Sequence, residues 1–412
     1  MYNITALVCI ILTAPALIMQ LTPSSIAKRP ITFCVLALLA ASPLGHLAVG
    51  DIELAIESFY QFFLTALYFL LLMGSVTTKE RLRGLMFWVT IFIGVLTVIV
   101  LLHLHGLIDM PTLNTVSEWD VDKTTGERIS LIRLQAVGIF NNPNAYARIL
   151  IVAIFLSLYW LTDPKLRVFA PFWLGMVALF FYAQLETRSR GAFLGLLAGM
   201  MALFVARFGI KKAIPIGIVM LPVMLVLGGG RSTDISTTEG TAAHRIELWS
   251  LGFEAMLSKS KLSPMFGIGW NTYQEYTHGY VAHNSFVQIF VEYGFLGGAF
   301  FVGLFYLLVS GFIEVGKHES LIDDPEMRRI RTFLLAIFAA EIIGMMSITR
   351  CYVISTYTFV GMGEVYLELC SKIPGMPSRR VEAKTVVRIF QAAAVVFAVI
   401  YIYAKIKMRS IG

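Results

Sequence analysis

Apolar residues run along this chain in long continuous stretches separated by polar connections. Twelve such segments can be traced, at roughly 4–21, 31–50, 58–75, 85–106, 147–162, 168–185, 190–206, 213–229, 291–314, 331–349, 352–371 and 386–404. The apolar positions are contiguous rather than alternating, so none reads as a membrane β-barrel strand. Several approach the roughly 20 residues a helix needs to cross a bilayer. The pattern predicts an all-α, polytopic bundle of about twelve transmembrane helices, because lipid leaves the backbone no other way to satisfy its polar groups. Two long connections interrupt it, at about 107–146 and 230–290, and no internal repeat is visible. The chain, 1–412, reads as a single integral membrane domain carrying these two loops.

Composition agrees with the pattern. The 412 residues are 57% hydrophobic and 14% charged, with a mean hydropathy of +0.76. A soluble domain carries about 25% charged residues. A buried core does not explain so large a deficit, which excludes the soluble classes; no nucleic-acid partner is expected. The first twenty residues lack a basic leading region and a small-residue cleavage site, so they read as a retained span. Cys9, Cys34, Cys351 and Cys370 lie in or beside apolar runs and read as small apolar filler, not as a disulfide framework or metal cluster.

Lysine and arginine set the expected orientation. Alternate connections carry Lys28 and Arg29; Lys79, Arg81 and Arg83; Lys165 and Arg167; Arg207, Lys211 and Lys212; Lys317, Arg328, Arg329 and Arg331; and Lys372, Arg379, Arg380, Lys384 and Arg388. The short connections between them carry almost none: Asp51, Glu53 and Glu57 in one, Arg350 in another. The basic set is therefore expected on the cytoplasmic side, with the N-terminus and both long loops outside. Twelve crossings would put Lys405, Lys407 and Arg409 outside, against the rule, so the last segment does not cross or two of the last four act as one.

The outer face gathers the unusual residues. His46, His103, His105, His244, His278 and His283 map to it, and only His318 maps inside. Interfacial histidines are commonly just solvated. More telling is ETRSRGAFLGLL, which puts Arg188 and Arg190 before the seventh segment. A charge at a membrane boundary is expensive unless snorkelled or paired. Gly191, Ala192, Gly195 and Gly199 would let a neighbouring helix approach and hold the guanidinium inside the bundle. The competing reading is a snorkelling pair near Glu186.

The first long loop closes on RLQAVGIFNNPNAYARIL, with Arg133 ahead of Asn141-Asn142-Pro143-Asn144. Asn-Pro favours a turn, and Asn144 is a candidate helix cap. A helix N-terminus lined with amides suits an anion or a sugar hydroxyl, although a capped helix with nothing bound explains the motif as well. Acidic EWDVD at 118–122 reads as a solvated loop, and no metal-binding carboxylate pair stands out on this face. The second long loop gives way to a helix from about Ala242, where Ile246, Trp249 and Phe253 form a packing face beside Arg245. Then come SPMFGIGWNTY and HGYVAHNSF, the latter carrying His283 and Asn284 to the edge of the ninth segment.

Taken in order, these motifs resemble the O-antigen ligase and O-antigen polymerase superfamily of bacterial envelope glycosyltransferases. The resemblance covers about 130–300. It rests on Gly-Ile-Phe-x-x-Pro-Asn from Gly138 to Asn144 and Ser-Arg-Gly from Ser189 to Gly191. It continues with Arg-x-x-x-Trp from Arg245 to Trp249, then a Gly-x-Gly, His-Asn-Ser-Phe and glycine series from Gly267 to Gly297. The resemblance implies a glycosyltransferase-C-like helical fold and a metal-independent enzyme with no cofactor. Its donor would be a glycan on undecaprenyl diphosphate. The acceptor would be lipid A–core in the ligases, which this chain resembles most, another carrier-linked chain in the polymerases, or a protein hydroxyl in the O-oligosaccharyltransferases.

The ligases' critical set of two arginines and a histidine falls by motif on Arg190, Arg245 and His283. Arg188, Arg133, Asn141, Asn144 and Asn284 would bind substrate around them. The chemistry agrees with the residue types: arginine binds phosphate oxygens bidentately, and a neutral histidine can take the proton of an acceptor hydroxyl. One departure is the expected outer N-terminus, since the ligases have both termini inside. A lipid-linked glycan transporter and a membrane scaffold for envelope assembly are the non-enzyme alternatives.

Overall fold

The computed structural model describes Ile11 and residues 14–113, 116–121, 128–218 and 241–411. Its longer helices are α1 (Pro30–Ala41), α2 (Ile52–Ser75), α3 (Lys79–Leu104), α4 (Pro143–Leu161), α5 (Ala170–Glu186), α6 (Arg190–Phe208), α7 (Thr241–Ser258), α8 (Ser285–Lys317), α9 (Pro325–Met345), α10 (Ile354–Ser371) and α11 (Ala383–Ile411). Eight helical stretches among the described residues are long and apolar enough to cross a membrane: Pro30–Leu47, α2, α3, α4, Pro164–Glu186, α6, α8 and Ala383–Met408. The protein is an all-α, multi-pass membrane protein.

Eight of the twelve expected segments correspond to these stretches; the other four are accounted for as follows. The segments at 331–349 and 352–371 do form helices α9 and α10. However, α9 carries Glu326, Arg328, Arg329, Arg331 and Glu341, and α10 carries Glu364 and Glu368. The segments at 4–21 and 213–229, and with the first of them Cys9, lie largely outside the described residues.

Capping residues moved several helix starts. Asp51 accepts a hydrogen bond from Leu54 N at 2.9 Å, so α2 begins at Ile52 and takes in the acidic residues expected in a connection. Proline at the first position opens α1 and α4.

The long loop near 107–146 is not all loop. Val116–Val121 (β1) pairs antiparallel with Arg128–Arg133 (β2), Val116 opposite Arg133 and Val121 opposite Arg128. The acidic Glu118–Val121 stretch is thus a strand rather than a solvated loop. Both segments are rich in residue types that favour strands: valine and tryptophan in β1, isoleucine and leucine in β2.

The chain forms two compact units. The first comprises Met1–Leu82, Ser236–Arg328 and Thr349–Gly412; the second comprises Arg83–Ile235 and Arg329–Ile348.

In the first unit α8 is the central helix. It packs against α1, α7, α10 and α11, and most of its residues from Ser285 to Val315 are buried. It is broken at Gly294, which takes φ +66 and ψ −170. The break leaves two carbonyls without helical partners, and the glycine turn supplies them. Ile268 N donates to Val291 O and Gly269 N to Glu292 O, both at 3.0 Å. Gly267 lies so close to Gly294 that a Cβ on either would overlap backbone of the other's segment.

Several charges in this unit are paired. Arg29 meets Glu368 at 2.7 Å, Arg379 meets Glu364 at 3.0 Å and Lys79 meets Asp324 at 2.6 Å. Cys34, Cys351 and Cys370 are buried and form no disulfide.

In the second unit α4 is the buried helix, packed by α5 and α6. Gly195 and Gly199 bring α6 so near α9 that a Cβ at either would stand 2.9 Å from Ala340 O or Ala336 O. Arg148 of α4 pairs with Glu341 of α9 at 3.3 Å. Asp163 caps the following turn and is held by Arg83 at 2.7 Å and Arg329 at 2.8 Å.

The interlock in α8 gives a direct test. Gly294→Val forces a branched side chain into the left-handed region and into backbone. Backbone strain alone costs on the order of 1–3 kcal/mol, and overlap adds to it. Thermal unfolding in detergent is expected to show a markedly lower midpoint for Gly294→Val and Gly267→Val. Gly84→Ala, which meets no atom, should leave it unchanged.

Candidate functional site

The predicted site residues divide between the two units. Arg245, His283 and Asn284 belong to the first; Arg133, Asn141, Asn144, Arg188 and Arg190 belong to the second.

In the first unit, α7 carries Arg245 and the turn before α8 carries His283. Asn284 caps α8: its Oδ1 accepts from Phe286 N at 2.9 Å and Val287 N at 3.2 Å. Asn284 is extended at φ −153, and His283 before it is left-handed at φ +48. Histidine tolerates that region better than most residues, but it is uncommon and marks a built turn. Two bonds fix the turn: Trp249 Nε1 of α7 donates to Ala282 O at 2.7 Å, and Ala282 N donates to Gln288 Oε1 at 2.9 Å. Trp249, read from sequence as packing only, thus ties the arginine helix to the histidine turn.

Burial, then the positive charges of Arg245 and His244, hold His283 down at about 4. It is therefore neutral at pH 7, able to accept a proton. Asn284 is fully buried, and its Nδ2 has no hydrogen-bond partner among the described residues.

In the second unit Ser189 caps α6, and the start of α6 meets the start of α4. Ser189 Oγ donates to Asn144 Oδ1 at 2.8 Å, and Arg133 Nη2 donates to the same oxygen at 3.0 Å. Arg133 Nε also donates to Thr187 O at 2.9 Å. Arg133 is 94% buried, with 6% of its surface exposed, and it braces the segment that holds Arg188 and Arg190. Arg188 is left-handed at φ +50, and both it and Arg190 are half-buried. The cap of α4 is Asn142, not Asn144: Asn142 Oδ1 accepts from Asn144 N at 2.9 Å and Ala145 N at 3.2 Å. Pro143 at the first helical position places the cap one residue before it, which frees Asn144 to bond sideways. Asn141 is exposed in the preceding turn.

Of the histidines expected to be merely solvated, His46 is buried against Gly269, its Nε2 3.1 Å from Trp270 O. His103 bridges Met110 N and Leu113 O. His283 is the histidine set beside an arginine-bearing helix in a neutral state.

Sequence reasoning missed Gln288, Glu292 and Tyr352. Glu292 accepts from Gln288 Nε2 and from Tyr352 OH, each at 2.7 Å, in the buried part of α8. The signal was present as two polar residues four apart in an apolar run, which share a helix face.

Residues 174–302 match the family model described as O-antigen ligase, and the chain carries that family's domain across this stretch. The match includes Arg188, Arg190, Arg245, His283 and Asn284, and it begins after Arg133, Asn141 and Asn144. It indicates a ligase- or polymerase-type function of a glycosyltransferase-like membrane enzyme. No curated protein matches the chain.

The depressed His283 has a defined linkage. Its folded value of about 4 lies below the ordinary 6.5, so between these values the unfolded chain binds more protons. The stability that neutral His283 allows is complete above 6.5 and is lost as pH falls toward 4. His283→Gln should therefore flatten the fall in melting temperature across that window. An unchanged fall would place the titration elsewhere.

Proposed function

We propose that the protein transfers a glycan from undecaprenyl diphosphate to a hydroxyl acceptor, with lipid A–core as the acceptor, as in an O-antigen ligase. The carrying observation is the O-antigen ligase match, within which a neutral His283 stands under the positive potential of Arg245. In this reading the acceptor oxygen attacks the anomeric carbon and gives its proton to His283. The bond from that carbon to the diphosphate oxygen breaks, and the carrier leaves as a diphosphate. Charge grows on that leaving group, so a fixed guanidinium there lowers the barrier. Arg245 fills that role. Arg190 is assigned to the donor phosphates because it opens a Ser-Arg-Gly helix start inside the matched stretch.

A value near 4 is low for a base working at neutral pH. The donor supplies the correction. Its diphosphate offsets the Arg245 charge that helps depress His283 and moves the imidazole upward when the donor is bound. Asn284 Nδ2, a buried donor, suits a sugar or phosphate oxygen. Arg188 and Asn141 are assigned to the same substrate, and Arg133 and Asn144 to bracing the loop that bears Arg190. Neither the chemistry nor the proposed roles require a metal. The lysine and arginine distribution supports a site on the periplasmic side of the inner membrane.

The test is transfer by purified protein in detergent, with undecaprenyl-diphosphate glycan, lipid A–core and EDTA. Wild type should shift the glycan onto the lipid. His283→Ala, Arg245→Ala and Arg190→Ala should each lower the rate by about 100-fold or more. Longer carrier-linked chains without lipid modification would make the protein a polymerase. No transfer to any acceptor, with carrier bound equally by wild type and variants, would favour a transporter or scaffold.

A further inference from the structure

Glu292 is an acid buried in the central helix of the first unit, 1% exposed, that no catalytic step above uses. Its carboxylate is a junction of three segments. Gln288 Nε2 donates to Oε1 at 2.7 Å, and the same Gln288 uses its own Oε1 to hold Ala282 N, the residue before His283. Tyr273 N donates to Oε1 at 3.4 Å, and Tyr273 OH donates to Leu248 O at 2.7 Å, one turn beyond Arg245 on α7. Tyr352 OH donates to Oε2 at 2.7 Å. That tyrosine's segment is tied to the start of α8 by Arg350 N donating to Ser285 Oγ at 2.8 Å. The acid's own carbonyl accepts from Gly269 N at the helix break.

We propose that Glu292 is a positioning residue for the transfer, holding the His283 turn through Gln288 and the Arg245 helix through Tyr273. This rests on the proposed function. The physical ground is that both links end on one carboxyl oxygen, Oε1, which accepts from Gln288 Nε2 and from Tyr273 N. With an ionised or otherwise accepting Glu292, the Gln288 amide must present NH2 to it and oxygen to Ala282 N. The orientation of Gln288 is thereby set, and with it the hydrogen bond that closes the histidine turn. Without the acceptor the amide's NH2 loses its partner and only Ala282 N at 2.9 Å and Thr349 Oγ1 at 3.5 Å hold its oxygen; a flip would set NH2 against N–H at Ala282 and open the turn. Sequence spacing alone could not reveal this, because Tyr273, Leu248, Ala282 and Tyr352 come together only around the broken helix.

The experiment pairs turnover with a titration of the His283 imidazole, followed by NMR of histidine-labelled protein in detergent and assigned with His283→Gln. Arg245 and His244 are the charged groups acting on that ring, and neither is altered. Glu292→Leu and Gln288→Leu should open the turn to water and move the imidazole from about 4 toward 6.5. Misplacement of catalytic groups should lower kcat by about 100-fold, with KM for the donor within about threefold. Glu292→Gln, which keeps one accepting oxygen and can donate to Tyr352 OH, should recover all but about tenfold.

Should Glu292→Leu fail to fold, Gln288→Leu and Glu292→Gln carry the same comparison. An imidazole that titrates as in wild type in folded Gln288→Leu or Glu292→Leu overturns the proposal. So does a loss of activity that tracks melting temperature alone. If wild type transfers no glycan but the imidazole moves as stated, the functional reading falls and the positioning role stands.

Discussion

A helix that breaks inside an apolar run must find partners for the carbonyls it exposes. Unsatisfied backbone in a membrane costs several kcal/mol per group. In the first unit the break at Gly294 is met by the N–H groups of Ile268 and Gly269, in a close approach only glycine permits at Gly267 and Gly294. The rest of the region depends on this contact. With Gly269 fixed on α8, Trp270 reaches His46, Tyr273 reaches Leu248 of α7, and the chain returns to α8 at His283. The Gly-x-Gly of the sequence is therefore a backbone lock and not itself a substrate loop.

Charge follows the same economy of partners. Glu364 and Glu368 pair with Arg379 and Arg29, Glu341 with Arg148, and Asp163 with Arg83 and Arg329. A series of acids in apolar helices can signal a transport path. Here each is held within its own unit by a partner at hydrogen-bonding or ion-pair distance, as a fixed scaffold requires. Such pairs stabilise little by their number. Their role is to fix which helix faces meet, as Asp163 does for the segments bearing Arg83 and Arg329. His283 differs in kind, because the charges near it are repulsive to its protonated form.

Several elements were legible in the residue order. Ile246, Trp249 and Phe253 at near-helical spacing gave a helix from about Ala242, close to the observed Thr241–Ser258. The glycines after Arg190 foretold a close helix contact, realised with α9. The caps were read less well. Asn144 looked like the cap of α4, yet Pro143 hands that role to Asn142, and Asn144 instead receives Ser189 and Arg133. The pairing of Val116–Val121 with Arg128–Arg133 was hidden because both strands are short and carry charged residues. Glu292 was hidden for a different reason: an acid within an apolar segment looks like a boundary residue until its partners are known.

What the sequence determined by itself is what depends on local chemistry. Long apolar runs require membrane helices, and arginine beside glycine at a helix start together with His-Asn-Ser before a span bring the family resemblance that the match over 174–302 supports. Only the tertiary structure decided that His283 is left-handed, half-buried and neutral beside Arg245, and that Trp249 and Gln288 hold its turn closed. The physical reason is distance along the chain. A cap or an apolar period is set within a few residues, whereas the desolvation of His283 comes from groups brought against it from α7 and α8.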